Sequence, residues 1–190
     1  YLIQRGAKNV LVIQGGDDAQ RRIASAARMQ LQQRGVHVVA NLDYREDMTA
    51  ALRQAAQAEG GVDMLLLSMK GSQARVLVPQ LAAAGLSATP RVGTSQIVSG
   101  TGKPAEDMVL DGIVYPTETW GVRGVAGLPS QASAAARVDT AKGPAARLFA
   151  FGYDAWLLTA YLQKLVERPN TELDGATGTL KLDGFGNVLR

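Results

Sequence analysis

The stretch "QGGDDAQRR" (14 to 22) sets two glycines and two carboxylates between an apolar run and a helix-like pattern. That is the setting in which free backbone N–H groups bind phosphates. G-x-G-x-x-G is missing, however, and Asp17 and Asp18 put two negative charges where a phosphate would lie. Both acids suit a helix N-terminus and its dipole, so helix capping is the expected role of the turn. "SGTGKP" (99 to 104) resembles the end of a Walker loop, but Ile97 stands in the first glycine position and Pro104 replaces the metal-binding hydroxyl. "GTSQI" (93 to 97) fails as a nucleophile elbow because Ile97 replaces the second glycine. The single histidine, His37, lies in "VHVVA", and without a second histidine or a cysteine it makes no transition-metal site by itself. General acid–base work by carboxylates stays open, yet Asp17, Asp18, Asp43, Glu46, Asp47 and Asp63 fall at helix starts and turns, a solvated pattern. No constellation argues for an enzyme, and no cofactor or metal is expected.

Composition narrows the classes further. The 190 residues are 46% hydrophobic, enough to bury a core of one sizeable or two small domains. Lys plus Arg number 20 against 17 Asp plus Glu, dispersed without a basic run, so nucleic-acid or membrane-surface binding through a patch is not expected. There is no cysteine, which excludes disulfides and thiolate chemistry within these residues. No apolar run approaches the roughly 18 residues needed to span a bilayer. The chain begins at Tyr1 without an initiator Met or a signal-like segment and reads as a soluble piece of a longer product.

The elements that would position any site alternate regularly. "NVLVIQ" (9 to 14), "VHVVANL" (36 to 42), "DMLLLSM" (63 to 69), "RVGTSQIV" (91 to 98) and "DGIVYP" (111 to 116) read as strands. "DAQRRIASAARMQLQQRG", "MTAALRQAAQAEG" and "SQARVLVPQLAAAG" read as helices, with Pro79 expected to bend or shorten the third. Apolar strands separated by helices predict an α/β fold, a parallel sheet covered on both faces with right-handed crossovers, over 1–116. Residues 117–143 are rich in Gly, Ser, Ala and Pro and read as a crossover and irregular linker with at most one short helix. In the return segment, 144–190, an apolar helix begins near Tyr153 and runs to about Glu167, and a C-terminal hairpin turns at "DGFGN".

"KNVLVIQGGDDAQRRIASAARMQLQQRGVHVV", "VDMLLLSMKGSQARVLVPQLAAAGL", "LDGIVYPTETW", "GYDAWLLTAYL" and "LDGATGTLKLDGFGNVLR" resemble, in this order, the second lobe and return segment of type 1 periplasmic binding proteins. Within that superfamily, "GDDAQRRIA", Trp120 after the "DGI-Y" strand, "GYDAW-L" and the final "L-G-TG-L--D--G-V-R" most resemble the LppC/LpoA family of outer-membrane lipoproteins. The resemblance implies a type 1 periplasmic-binding-protein-like fold, with the second lobe nearly complete and the first lobe partial. It implies a non-catalytic periplasmic regulator that activates a bifunctional, class A penicillin-binding protein, held at the outer membrane only by a lipid anchor outside this chain.

The alternative is a receptor that closes on an amino acid or similar small polar solute, and a repressor-like sensory core stands third. Solute-binding relatives imply a ligand site at Ser68, Ser95, Tyr115, Thr117 and Glu118. Such binders commonly carry a Tyr in the acidic turn, where this chain has Ala19 and Gln20. Finally, Tyr153, Trp156, Leu157 and Tyr161 share a stripe widened by Leu158, Leu162 and Leu165, broader than the roughly 100° of a surface helix. That stripe is expected to be covered, by residues outside the chain, by the α/β lobe or by a second copy. Asp154 is expected to be a helix N-terminal acid.

Overall fold

Val10, Val12, Met64 and Leu66 face one side of the central strands, and Leu11, Ile13, Leu65 and Leu67 face the other. All eight are buried, as a sheet covered on both faces requires. The computed structural model describes residues 1–98, 104–168 and 170–189. Contacts divide the chain into two compact units, Tyr1–Pro116 and Thr117–Arg190.

In the first unit β1 (Asn9–Gln14), β2 (His37–Asp43), β3 (Met64–Ser68), β4 (Arg91–Gly93) and β5 (Ile113–Val114) form one parallel sheet in the order β2-β1-β3-β4-β5. The chain order reverses between β1 and β3, so their carboxyl ends flank the topological switch point. On one face α1 (Asp18–Gln33) buries Ala24 and Leu31 against Val10, Val12 and Leu66. On the other, α2 (Thr49–Ala56) contributes Leu52 and α3 (Gly71–Ala83) contributes Ala74, Leu77, Val78 and Leu81. Burying each such side chain contributes about 1.5–3 kcal/mol.

Pro79 does not shorten α3, which runs on to Ala83. Leu77, Val78 and Leu81 on either side are buried, and that packing outweighs the lost hydrogen bond, a cost of about 3 kcal/mol. A short helix, α4 (Pro104–Asp107), docks on α3 through an Arg75–Asp107 ion pair of 2.9 Å. The fourth and fifth strands are shorter than the sequence predicts. After Gly93 the chain tightens into a 3₁₀ turn, Ser95–Ile97, because Ile97 turns inward into the core.

The second unit departs further from expectation. Between Thr117 and Gly143 the chain forms two short helices, α5 (Thr119–Arg123) and α6 (Gln131–Ala135), where the composition predicts at most one. Tertiary contacts stabilise them: Trp120 is buried, stacks on Phe149 at 4.8 Å, and donates its indole N–H to the Pro129 carbonyl at 2.8 Å. The apolar helix begins at Ala146, not near Tyr153. It forms α7 (Ala146–Ala160), breaks at Tyr161 and resumes as α8 (Leu162–Glu167). Its N-terminal half is built on Ala146 and Ala150, whose small side chains allow close approach to Trp120 and Ala141. The antiparallel strands β6 (Leu173–Asp174), β7 (Thr179–Leu182) and β8 (Val188–Leu189) end the chain, in the order β6-β7-β8.

Within these residues the broad stripe is covered only in part: Leu157 and Leu165 are buried, and Tyr153 and Leu158 are half-buried. Trp156 is 60% exposed and Leu148 72%, while Tyr161, Leu162 and Val166 are also exposed. The buried face of α7 shares Leu157 and half-buried Tyr153 with that stripe and adds Ala146, Ala150 and Asp154. Spacing placed Leu157 and Leu165 correctly but missed the small residues Ala146 and Ala150 that complete the buried face.

Candidate functional site

The switch point of the sheet is filled by its own polar side chains. Asp17 caps α1 by accepting the Gln20 amide N–H at 2.8 Å, and Gln20 Oε1 reciprocates on the Asp17 N–H at 3.3 Å. This is a capping box with Gln in the third position. Gln20 is buried and also donates from Nε2 to Gln73 Oε1 at 3.1 Å, which accepts the Lys70 amide at 2.9 Å. Lys70 Nζ returns to Asp17 Oδ2 at 3.2 Å. The Gln20 amide, and behind it the Lys70 ammonium, hold the Asp17 carboxyl below the usual carboxylate range.

Ser68, expected as a ligand residue, is fully buried and donates its hydroxyl to the Gln20 carbonyl at 2.8 Å. Its own carbonyl accepts the Gly15 N–H at 2.9 Å. Gly15 is required here because a Cβ would stand 1.8 Å from Gln20 Oε1. The glycine turn therefore serves the capping network, as its two acids predict.

The other expected residues fall in both units, Ser95 and Tyr115 in the first and Thr117 and Glu118 in the second. Ser95 is half-buried in the turn after β4, where Thr94 Oγ1 and Gln96 Oε1 are buried without a hydrogen-bond partner among the described residues. Tyr115 is 40% exposed beyond β5. Thr117 donates its hydroxyl to Glu118 Oε2 at 3.1 Å, and Glu118 Oε1 pairs with Arg147 Nε at 2.5 Å. Ser68 and Glu118 are thus engaged inside their own units. The rejected Walker segment 99–103 lies outside the described residues.

His37 is exposed beside Asn9 Oδ1, 3.3 Å away. Among the described residues no three His, Cys, Asp or Glu side chains gather to hold a metal, and no helix is long and apolar enough to cross a membrane.

In the second unit the motifs near Trp120, at "GYDAW" and at "LDGATG" converge on one peptide. Asp154 is 1% exposed in the middle of α7 and accepts the Ala176 N–H at 2.5 Å, the Thr177 N–H at 3.1 Å and the Thr177 hydroxyl at 2.5 Å. The Ala176 carbonyl in turn accepts the Trp120 N–H at 2.9 Å. Asp154 is therefore a clamp on the turn after β6, not a helix N-terminal acid. Gly175 lies under it, since a Cβ there would meet Asp154 Oδ1 at 2.7 Å and Leu180 Cδ1 at 2.6 Å. An acid inside an otherwise apolar helix was the sequence signal for this clamp.

The sequence model of the family described as "LppC putative lipoprotein" matches residues 4–190. The chain belongs to the LppC family. No curated protein matches it. Among solved structures it is similar to the C-domain of LpoA (YraM) from Haemophilus influenzae, described as a regulator of PBP1A, at TM-score 0.70 and 21% identity. Full-length LpoA of the same organism matches at TM-score 0.72 and 21% identity. A structure described as a "putative branched-chain amino acid ABC transporter" from Chromobacterium violaceum matches at 0.67 and 24%. Each likeness covers 100% of this chain, but only 58%, 34% and 59% of the respective partner. The LppC chain thus spans little more than half of the LpoA C-domain. At these identities the likenesses show the fold: a parallel sheet flanked by helices, shared with transporter solute-binding proteins and LpoA. Trp120, Asp154 and Ala176, each inside a motif that resembles this family, form the hydrogen-bonded knot of the second unit.

Proposed function

We propose that this LppC-family protein is a non-catalytic regulator of peptidoglycan synthesis. It activates a bifunctional, class A penicillin-binding protein from the periplasm, carried on the outer membrane by a lipid anchor outside these residues. The observation that carries the reading is the family match over 4–190. The likeness to LpoA, described as a PBP1A regulator, agrees with it. The chemistry of the first unit supports it: the polar groups at the carboxyl ends of β1 and β3 are spent on one another, leaving a firm scaffold rather than a vacant receptor site.

Surface-immobilised full-length protein, offered purified class A penicillin-binding proteins of its own organism, should retain one of them and fail to retain an unrelated periplasmic protein. Retention of none would remove the claim. The receptor reading draws on the unpartnered Thr94 and Gln96 oxygens beside Ser95. A free amino acid held there would raise the melting temperature, and a Ser95→Ala chain would lose that rise.

A further inference from the structure

A recess of about 370 Å³ opens in the second unit between α5 and the β6–β7 turn. Thr119 and Arg123 line it from α5, Val125 from the following loop, and Asp174, Gly178 and Thr179 from the hairpin. Arg123 and Asp174 bear opposite charges on the same half-open recess, yet neither joins an ion pair among the described residues. Their positions are fixed by backbone. Asp174 is held in register opposite Thr179, and the next two residues are locked beneath Asp154. Arg123 ends α5, where Gly124 turns the chain at φ 71°, and the same helix is tied to the hairpin by the Trp120 N–H on the Ala176 carbonyl. The two charges thus line one recess together with Gly124, Gly175 and Gly178.

We propose that this recess binds a small zwitterion, a free amino acid or dipeptide. The ligand's carboxylate meets Arg123 and its ammonium meets Asp174. Arg presents a planar fork of donors that fits a carboxylate, and an unpaired Asp carboxylate accepts from an ammonium. Thr119 and Thr179 hydroxyls supply further polar contacts at the rim. Val125 and Ala126 give a short apolar wall, which suits a small aliphatic side chain. The volume lies at the small end of ligand pockets, which run from about 300 Å³ upward. The contacts are solvated, so the dissociation constant is expected on the order of 0.1–1 mM. The site lies wholly in the second unit and does not rest on the synthase reading.

The test is calorimetric titration of the full-length protein at low salt with alanine and alanyl-alanine, against N-acetyl-alanyl-alanine and alanyl-alanine amide. The zwitterions should bind, and blocking either end should weaken binding at least about tenfold. Arg123→Gln and Asp174→Asn should each do the same. Both side chains are exposed, so these chains should keep the parent melting temperature. Equal binding of the blocked peptides, no heat up to about 10 mM zwitterion, or binding unaltered by both substitutions would overturn the proposal. Synthase retention that survives any of these results would leave the regulator reading intact and remove only the recess.

Discussion

The Asp154 carboxylate meets the Ala176 amide at 2.5 Å, fastening the middle of α7 to the turn after β6. With Thr177 the same carboxylate takes three hydrogen bonds in a buried setting. Asp154→Ala leaves two backbone donors without partners, each worth about 1–3 kcal/mol. The unfolding free energy should fall by about 2–4 kcal/mol, read by urea unfolding followed on buried Trp120. Thr177→Val, which keeps both backbone bonds, should cost only about 1 kcal/mol. Equal costs for the two would show that the clamp is not centred on the carboxylate.

Trp120 and Trp156 should behave as opposites. Trp120 is 2% exposed and stacked on Phe149, so Trp120→Ala is expected to cost about 3–5 kcal/mol. Trp156 stands 60% exposed, so Trp156→Ala should change stability by less than about 0.5 kcal/mol. A large loss at Trp156 in the same urea titration would mean that the stripe is covered in the folded protein.

Gly15→Ala places a Cβ within 1.8 Å of Gln20 Oε1 and 2.8 Å of Gln73 Oε1. Gln20 must then leave its capping box, at a cost of about 1–2 kcal/mol. In a double-mutant cycle the Gly15→Ala cost should fall in a Gln20→Ala background, because the closest clash and the reciprocal cap bond share that side chain and only the Gln73 contact is left. Full additivity would locate the strain elsewhere.

The Asp17 carboxyl is held below its ordinary value by the Gln20 amide and the Lys70 ammonium. A carboxyl depressed on folding lends stability that is complete above its unfolded pKa, about 3.9, and is lost as pH falls through the folded value. Asp17→Asn keeps the capping oxygen and removes the charge. The stability gap between parent and variant should therefore be greatest near neutral pH and close as pH falls below about 3.9. A gap independent of pH would show that the charge contributes nothing.

The sheet was legible because its strands are apolar throughout, and the start of α1 because Asp17 and Asp18 suit a helix N-terminus. Ser68 was expected as a ligand residue because solute-binding relatives place hydroxyls at strand ends. Its hydroxyl is instead taken by the Gln20 carbonyl, a pairing 48 residues apart that no local pattern encodes. The helix of the second unit was legible as apolar and in part of its buried face, Leu157 and Leu165, but not in its start. Ala146 and Ala150 carry little hydrophobic signal, yet their size decides where the helix can approach Trp120. The recess was invisible because Arg123 and Asp174 come to line it only when α5 is tied to the hairpin.

The central claim is tested most directly by glycan-strand polymerisation with a purified class A penicillin-binding protein of the same organism, with and without the full-length protein. The account predicts a faster rate in its presence and no polymer from the protein alone. Asp154→Ala should diminish the stimulation, because it frees the turn that Ala176 anchors. An unchanged rate with every class A synthase of that organism would contradict the account.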